Sequence, residues 1–415
     1  MIGYSILSIL LEYILFASFI IIILWLIYNI YISLHGLKFH PSNKNVLNKH
    51  DPVKISIIIP AKDEESVLNR LLDSILKQNY PHDKIEVIIV DGASRDRTYD
   101  IARSYMEKYK IFKVIREDYP RGKPHALNIG LKHASGDVIG VFDADSILPP
   151  DLLRRVSKIF NDDNVIAIQG KPISVNEDQN LITKLTSVEE KIWYNLIMRG
   201  REKLNLFIPI TGSCFFIRRN VLGEVGGFNE DELAEDLELS LRLLKHGYIV
   251  KYIDEAYAYQ ESPSTLKALI SQRTRWYRGY VKNFFRYGSL IKLGNLKSID
   301  VEILLSGPII LSLSLFTYLS IFLGLLIPSI YQYAYPFAIT INILTLISMT
   351  LYLLLNRPIT FRKILLAISI YFYWILEAGI ALKSVFLELF RRPYKWIKTE
   401  KTGVKTLGDN IISSG

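Results

Sequence analysis

"KISIIIPAKDE", Lys54–Glu64, reads as a buried strand that ends in acid. Four isoleucines lie in six residues, proline stops the run, and Asp63 follows at once. The pattern recurs downstream. "KIEVIIV" (Lys84–Val90) runs into "DGAS", "KVI" (Lys113–Ile115) is weaker, and "DVIGVFDAD" (Asp137–Asp145) again ends in carboxylates. Runs this apolar suit strands covered on both faces. Helical stretches separate them, over about Glu64–Lys77, Asp96–Lys108 and Lys123–His133. Strand and helix alternate, so the expected fold is α/β, a doubly wound, mainly parallel, Rossmann-like sheet.

Parallel strands point one way, so Asp63, Asp91, Asp143 and Asp145 gather along the carboxyl edge, where open α/β sheets bind ligands. An Asp after a strand also serves as a turn residue or helix N-cap, and Asp63 and Asp91 suit that role as well. Asp143 and Asp145 stand two apart, which on an extended segment puts both on one face. Paired carboxylates there suit Mg2+ or Mn2+, whose shell is completed by water and substrate phosphates. The expected ligand is therefore a diphosphate.

Outside this region the chain turns apolar. Of 415 residues, 50% are hydrophobic. From Ile6 to Ile32 the single charge is Glu12, a run long enough for a bilayer, which needs about 20 residues. It is too long for a secretory signal and reads as a retained anchor. Further runs cover Ile303–Pro328, Tyr335–Leu355 and Ile364–Phe390. The expected organisation is an anchor over 1–36, a catalytic domain over 50–260, amphipathic interface helices over 263–297, membrane helices over 301–390 and a basic tail over 391–415. The net charge of +9 collects beside the apolar runs, at Lys38, Lys44, Lys49, Arg357, Arg362 and Lys363. That places the soluble domain in the cytoplasm and the N-terminus outside, in the plasma membrane. No recognition module for nucleic acid is visible. One cysteine, Cys214, excludes an intramolecular disulfide and a Cys-based zinc cluster.

"LISQRTRWYRGYVKNFF" (Leu269–Phe285) mixes cations and aromatic rings at helical spacing just before the second apolar run. It reads as a helix in the membrane interface. Headgroup attraction accounts for Lys282 and Arg286. Asp236 opens another helix, with Leu237, Leu241 and Leu244 on one face and Gly247 at its end. The helix dipole there lowers its basicity, while Glu235 and desolvation raise it.

Seven blocks in order carry a resemblance: "PAKDE" (Pro60–Glu64), "VDGASRDRT" (Val90–Thr98), "RGKPHALN" (Arg121–Asn128), "FDADS" (Phe142–Ser146), "TGSCFFIRR" (Thr211–Arg219), "AEDLELSLRL" (Ala234–Leu243) and "QRTRW" (Gln272–Trp276). The chain resembles the membrane-integrated family 2 glycosyltransferases with a GT-A fold, the group of cellulose, chitin, hyaluronan and poly-N-acetylglucosamine synthases and ceramide glucosyltransferase. The resemblance covers about Ile55–Gly288. It implies that Asp63 and Asp91 hold the uracil and ribose of a UDP-sugar and that Lys123 reaches its diphosphate. It implies a metal on Asp145 with Asp143 nearby, and Asp236 as the general base. Gln272, Arg275 and Trp276 match the family's QxxRW block, which binds diphosphate and acceptor. Thr211, Gly212 and Glu235 fall in blocks that line the acceptor. Ala234 stands where the family often has Thr, which removes a hydroxyl beside the base and bears on acceptor preference. "WIKTEK" (Trp396–Lys401) resembles the gating-loop pattern FxVTxK, with Trp396 for Phe and Lys398 for Val, and would bring Thr399 and Lys401 to the nucleotide.

The implied activity is inverting transfer onto a growing β-linked polysaccharide; the alternative is single transfer to a membrane lipid. Four apolar segments are few for a polymer pore, so a homo-oligomer or an accessory subunit would complete one. A non-catalytic subunit would have lost the metal or base residues, and a transporter would carry more membrane segments. Four crossings from an outside N-terminus would strand the basic tail outside. Segment 364–390 carries Trp374, Glu377, Gly379 and Lys383, so it is expected to lie along the interface or re-enter rather than cross.

Overall fold

The computed structural model describes residues 6–38, 51–288, 296–315, 328–394 and 401–403, the side chains of 6–12 and 328–334 excepted. The chain divides into two compact units. One comprises His40–Glu190, Phe207–Leu269 and Lys395–Gly415; the other comprises Met1–Phe39, Lys191–Leu206 and Ile270–Tyr394.

The first unit is built on a seven-stranded sheet: β1 (Ile55–Ala61), β2 (Ile85–Asp91), β3 (Phe112–Arg116), β4 (Val138–Val141), β5 (Ala167–Ser174), β6 (Phe215–Arg218) and β7 (Val250–Gln260). Their spatial order is β3-β2-β1-β4-β6-β5-β7. Both faces are covered, as the isoleucine runs require. Ile57, Ile59, Val87 and Ile89 join one core cluster, and the intervening Ile58, Ile88 and Val90 are equally buried. Helices α2 (Leu68–Leu76), α3 (Thr98–Lys108), α4 (Lys123–His133) and α5 (Leu152–Phe160) connect or flank the strands. Leu68, Leu71, Leu72 and Ile75 of α2 recur at helical spacing and are fully buried, each contributing roughly 2 kcal/mol.

The sheet is mixed, which corrects the expectation of a simple doubly wound sheet. β6 runs antiparallel to both β4 and β5, while the remaining strands share one direction. β6 follows a long helical excursion through α6 (Leu181–Ile192), a π-helix (Trp193–Met198) and α7 (Arg199–Lys203), so it returns without the crossover that a parallel strand needs. The reversal brings the amino end of β6, Thr211–Cys214, to the same edge as the carboxyl ends of its neighbours, since Phe215 pairs with Val141. Helices α8 (Arg219–Glu224) and α9 (Glu235–Lys245) follow.

Glu86 is a buried acid inside the sheet. Glu86 of β2 bonds Ser56, Lys113 and the Ser135 amide. Burial pushes its carboxyl up, but Lys113, Ser56 and Ser135 outweigh that and hold it at about 2. A fall from 4.5 corresponds to about 3 kcal/mol. Because the folded value is depressed, this stabilisation is present above the unfolded value and disappears as pH falls through about 2. Glu86→Gln should therefore lower the melting temperature of the full chain at neutral pH, with the gap closing in strong acid. Equal melting at neutral pH would contradict this.

The second unit is helical: α1 (Ile6–Leu37), α10 (Leu266–Tyr287, which begins in the first unit), α11 (Leu296–Leu305), α12 (Gly307–Leu315), α13 (Pro328–Leu355) and α14 (Phe361–Leu389). Among the described residues, Tyr13–Leu37, Tyr335–Leu355 and Phe361–Leu389 are long and apolar enough to cross a membrane. α11 and α12 pass the same test only as a pair, bent by 45°, which is the form of a broken span or of a re-entrant loop. The bend among these segments falls at 305–307, and α14 is one continuous helix. Buried charges in this unit are paired: Arg201 meets Asp300 at 2.6 Å, and Tyr28 donates to the same carboxylate.

Candidate active site

The first unit gathers its polar residues along the carboxyl edge. At one end, Asp63 follows β1 with a left-handed φ of 54°. Its carboxylate accepts the Arg95 amide at 2.7 Å, and its own amide donates to Ser94 Oγ at 2.9 Å. Asp63 does not cap α2, which begins at Leu68 behind Val67. Asp91, the last residue of β2, is fully buried. One carboxylate oxygen accepts from the Ser94 amide and lies 3.3 Å from Arg116 Nε. The other, Oδ1, has no hydrogen-bond partner among the described residues. A buried carboxylate oxygen without a donor costs stability, so this end is built to receive an N–H or O–H group. Arg116 also lies over the Tyr99 ring, 4.6 Å from its centroid.

The middle of the edge is organised by Lys123, the first residue of α4. Its ammonium donates to Asp143 Oδ1 at 2.6 Å and to the Gly212 carbonyl at 2.8 Å, and lies 4.0 Å from Glu235. Burial pulls its pKa down, but Asp143 and Glu235 outweigh that and hold it above the ordinary lysine value. Gly212 has a φ of 81°. A Cβ there would stand 2.9 Å from Asp236 Oδ2 and 3.5 Å from Lys123 Nζ, so the absent side chain leaves room for carboxylate and ammonium to border the same glycine. Thr211 is fixed through its amide to Gln169 Oε1 at 2.8 Å. Glu235 is buried and Asp236 half-buried in the first turn of α9, where Asp236 Oδ1 accepts the Leu237 amide.

The "DAD" stretch corrects the expectation of two acids on one face. β4 ends at Val141, and Ser146 N bonds Asp143 O, so the chain turns here rather than staying extended. Asp143 is 40% exposed and faces Lys123; Asp145 is 3% exposed and faces elsewhere. Asp145 Oδ2 accepts the Glu261 amide at 2.9 Å and lies 2.7 Å from Lys401 Nζ. Burial pushes its carboxyl up, but Lys401 outweighs that and holds it below the usual range. Lys401 thus meets Asp145. Thr399, with Trp396 and Lys398, lies outside the described residues.

Sequence reading missed Glu261 and Arg70. They pair at 2.5 Å, and Glu261 Oε2 also accepts the Thr402 amide. Glu261 follows β7 as Asp91 ends β2, so the same end-of-strand rule would have found it had β7 been read as a strand.

In the second unit, α10 carries Gln272, Arg275 and Trp276, all half-buried. Arg273 lies 4.2 Å from the Trp276 ring centroid and 3.3 Å from Glu377 Oε1, a charge contact without hydrogen-bond alignment. Tyr277 donates to the other Glu377 oxygen at 2.5 Å. Arg278 pairs with Glu388 at 3.0 Å. The cations of this stretch are therefore partly internal, not a solvated face.

Residues 52–279 match the family model described as glycosyltransferase like family 2. The probable glycosyltransferase YdaM of Bacillus subtilis is 33% identical over 275 residues, 64% of this chain and 65% of that protein. A beta-monoglucosyldiacylglycerol synthase of Synechocystis is 33% identical over 236 residues, 56% of this chain and 49% of that protein. A poly-beta-1,6-N-acetyl-D-glucosamine synthase of Staphylococcus epidermidis is 27% identical over 272 residues, 65% of each. The chain thus spans about half to two thirds of the length of these relatives. In fold it is similar to a mannosyltransferase, PcManGT from Pyrobaculum calidifontis, solved with GDP-Man and Mn2+. The TM-score is 0.61 at 19% identity, covering 92% of this chain and 100% of that one.

Proposed function

The chain belongs to glycosyltransferase family 2, and from that premise we propose that it is a membrane-bound inverting transferase. It moves a sugar from a UDP-sugar to a growing β-linked polysaccharide. The observation that carries this is the Lys123 cluster: a half-buried ammonium between Asp143 and the Gly212 carbonyl, with Asp236 Oδ2 bordering the same glycine. Base and cation for one displacement stand side by side.

Asp236 takes the proton of the acceptor hydroxyl as its oxygen attacks the anomeric carbon. The bond from that carbon to the phosphate oxygen breaks, and the electron pair leaves on the diphosphate. Lys123 offsets the charge that develops there. One displacement without a covalent intermediate inverts the anomeric centre. Asp91 Oδ1 and Asp63 receive base and ribose. Thr211, Gly212 and Glu235 border the acceptor.

Asp145 suits a hard cation, because this buried carboxylate already holds an ammonium at 2.7 Å. Among the described residues no group of three His, Cys, Asp or Glu side chains is arranged to hold a metal. Asp145 would therefore be the protein's carboxylate for Mg2+ or Mn2+, with water and phosphate oxygens completing the shell. Such an ion, when bound, neutralises the leaving diphosphate.

Single transfer to a membrane lipid is the second reading, favoured by the identity to a glucosyldiacylglycerol synthase. Purified chain incubated with radiolabelled UDP-sugars separates the two: label in high-mass polymer supports the first, and label extracted with lipid supports the second. Label in neither fraction contradicts both.

Apolar helices long enough to cross a membrane support an integral protein of the plasma membrane, and the flanking lysines and arginines support a cytoplasmic catalytic unit. Lys401 meets Asp145, so the tail shares a side with the sheet. Glu377 and Glu388 of α14 pair with arginines of α10, which supports α14 lying along the interface. Cysteines introduced at Ile359 and Arg391 should both resist an impermeant maleimide in intact cells. Labelling at Ile359→Cys would make α14 a crossing helix.

A further inference from the structure

A buried carboxylate stays ionised only with a cation or hydrogen-bond donors beside it. At Asp145 that cation is a side chain of the chain itself. Lys401 Nζ lies 2.7 Å from Asp145 Oδ2 and donates to the Glu261 carbonyl at 2.8 Å. The next residue is anchored too: Thr402 gives its amide to Glu261 Oε2 at 2.8 Å and its hydroxyl to the same oxygen at 3.1 Å. Glu261 is in turn held by Arg70 at 2.5 Å. Gly403 completes the seat. Its φ is 63°, and a Cβ there would stand 2.9 Å from the Ser66 carbonyl oxygen, so this turn accepts glycine and resists other residues. Three consecutive residues are thus fitted to the sheet edge through a backbone turn, an acid and a charge pair. This is more than a basic tail near an acidic rim requires.

We propose that Lys401 is a built-in counter-cation that occupies the divalent-ion seat on Asp145, so that docking of Lys401–Gly403 and binding of the ion exclude each other. The proposal rests on the reading of Asp145 as the metal carboxylate. One oxygen cannot hold an ammonium at 2.7 Å and a divalent ion together, because like charges that close repel strongly. The resting chain is therefore held metal-poor. Ion binding must lift the ammonium from Asp145 and break the Thr402 bonds to Glu261, so the state of the tail is linked to the loading of the site.

The test is titration of the full-length protein in detergent with Mn2+ alone, followed by the electron paramagnetic resonance of free Mn2+. Lys401→Met should bind Mn2+ at least about tenfold more tightly than wild type, because about 1.4 kcal/mol of competition corresponds to tenfold. Gly403→Val, which leaves every charge in place, should show a gain in the same direction. Adding Asp145→Asn to Lys401→Met should remove the gain. Equal Mn2+ affinity in wild type and Lys401→Met overturns the proposal, as does a gain that survives Asp145→Asn. A second measurement needs no variant: Mn2+ should accelerate trypsin cleavage after Lys401 in the wild-type chain, and an unchanged cleavage rate overturns the proposal. Neither measurement uses sugar transfer, so failure of the transferase reading appears separately, in the product assay.

Discussion

Asp236→Asn should abolish sugar transfer while UDP still binds. The loss expected from removing a positioned general base is roughly 100- to 10,000-fold. The amide keeps the shape of the carboxylate and can still accept the Leu237 amide, so α9 keeps its first turn. It cannot take a proton from an alcohol. Nucleotide affinity should be unchanged, because the residues assigned to base and ribose, Asp63 and Asp91, are tied to each other through Ser94. Transfer rates for wild type and variant, with UDP affinity by calorimetry, check both halves. Full activity would remove Asp236 from its role. Lost UDP binding would point to a collapsed site.

Lys123→Met carries the second large effect. A preorganised cation aimed at developing charge is worth roughly 100- to 1,000-fold in rate. Here the ammonium also neutralises Asp143 and neighbours Glu235, so its removal leaves acids facing one another. The rate constant should fall by about that factor, with a weaker affinity for the nucleotide diphosphate. Lys123→Arg, which keeps the charge, should recover part of the loss if the fold is intact. Transfer by Lys123→Met within about tenfold of wild type would mean that the leaving group is stabilised elsewhere.

What could be read in advance follows from how locally each feature is encoded. β1, β2 and β4 announce themselves because a doubly covered strand must be apolar on both faces, and few local structures besides such a strand bury a short isoleucine run entirely. Lys123–His133 reads as a helix, and one is found over those residues. The direction of β6 was not legible: "FFIR" is buried whichever way it runs, and its partners lie far along the chain. The turn at Asp143–Ser146 was hidden because "FDADS" continues an apolar strand without glycine or proline to mark its end. Glu261 follows a strand whose alternation is carried by alanines and tyrosines mixed with charges, a weaker signal than an isoleucine run. Lys401–Gly403 has no periodicity at all. Its place at Asp145 depends on a charge pair between distant parts of the sequence and one glycine conformation, neither of which composition reports.

The cluster of acids along the edge was legible as a set, since parallel strands deliver their ends to one side. Their partners were not. Lys123 and Lys401 answer the repulsion among Asp143, Asp145 and Glu235, and each lysine reaches its acid from a different part of the chain.

The most direct test of the account is the anomeric configuration of the product. A UDP-sugar labelled with carbon-13 at its α-configured anomeric carbon is incubated with purified chain, and the linkage is read by NMR. A single displacement driven by Asp236 and assisted by Lys123 predicts a β-linked product. An α-linked product would contradict it.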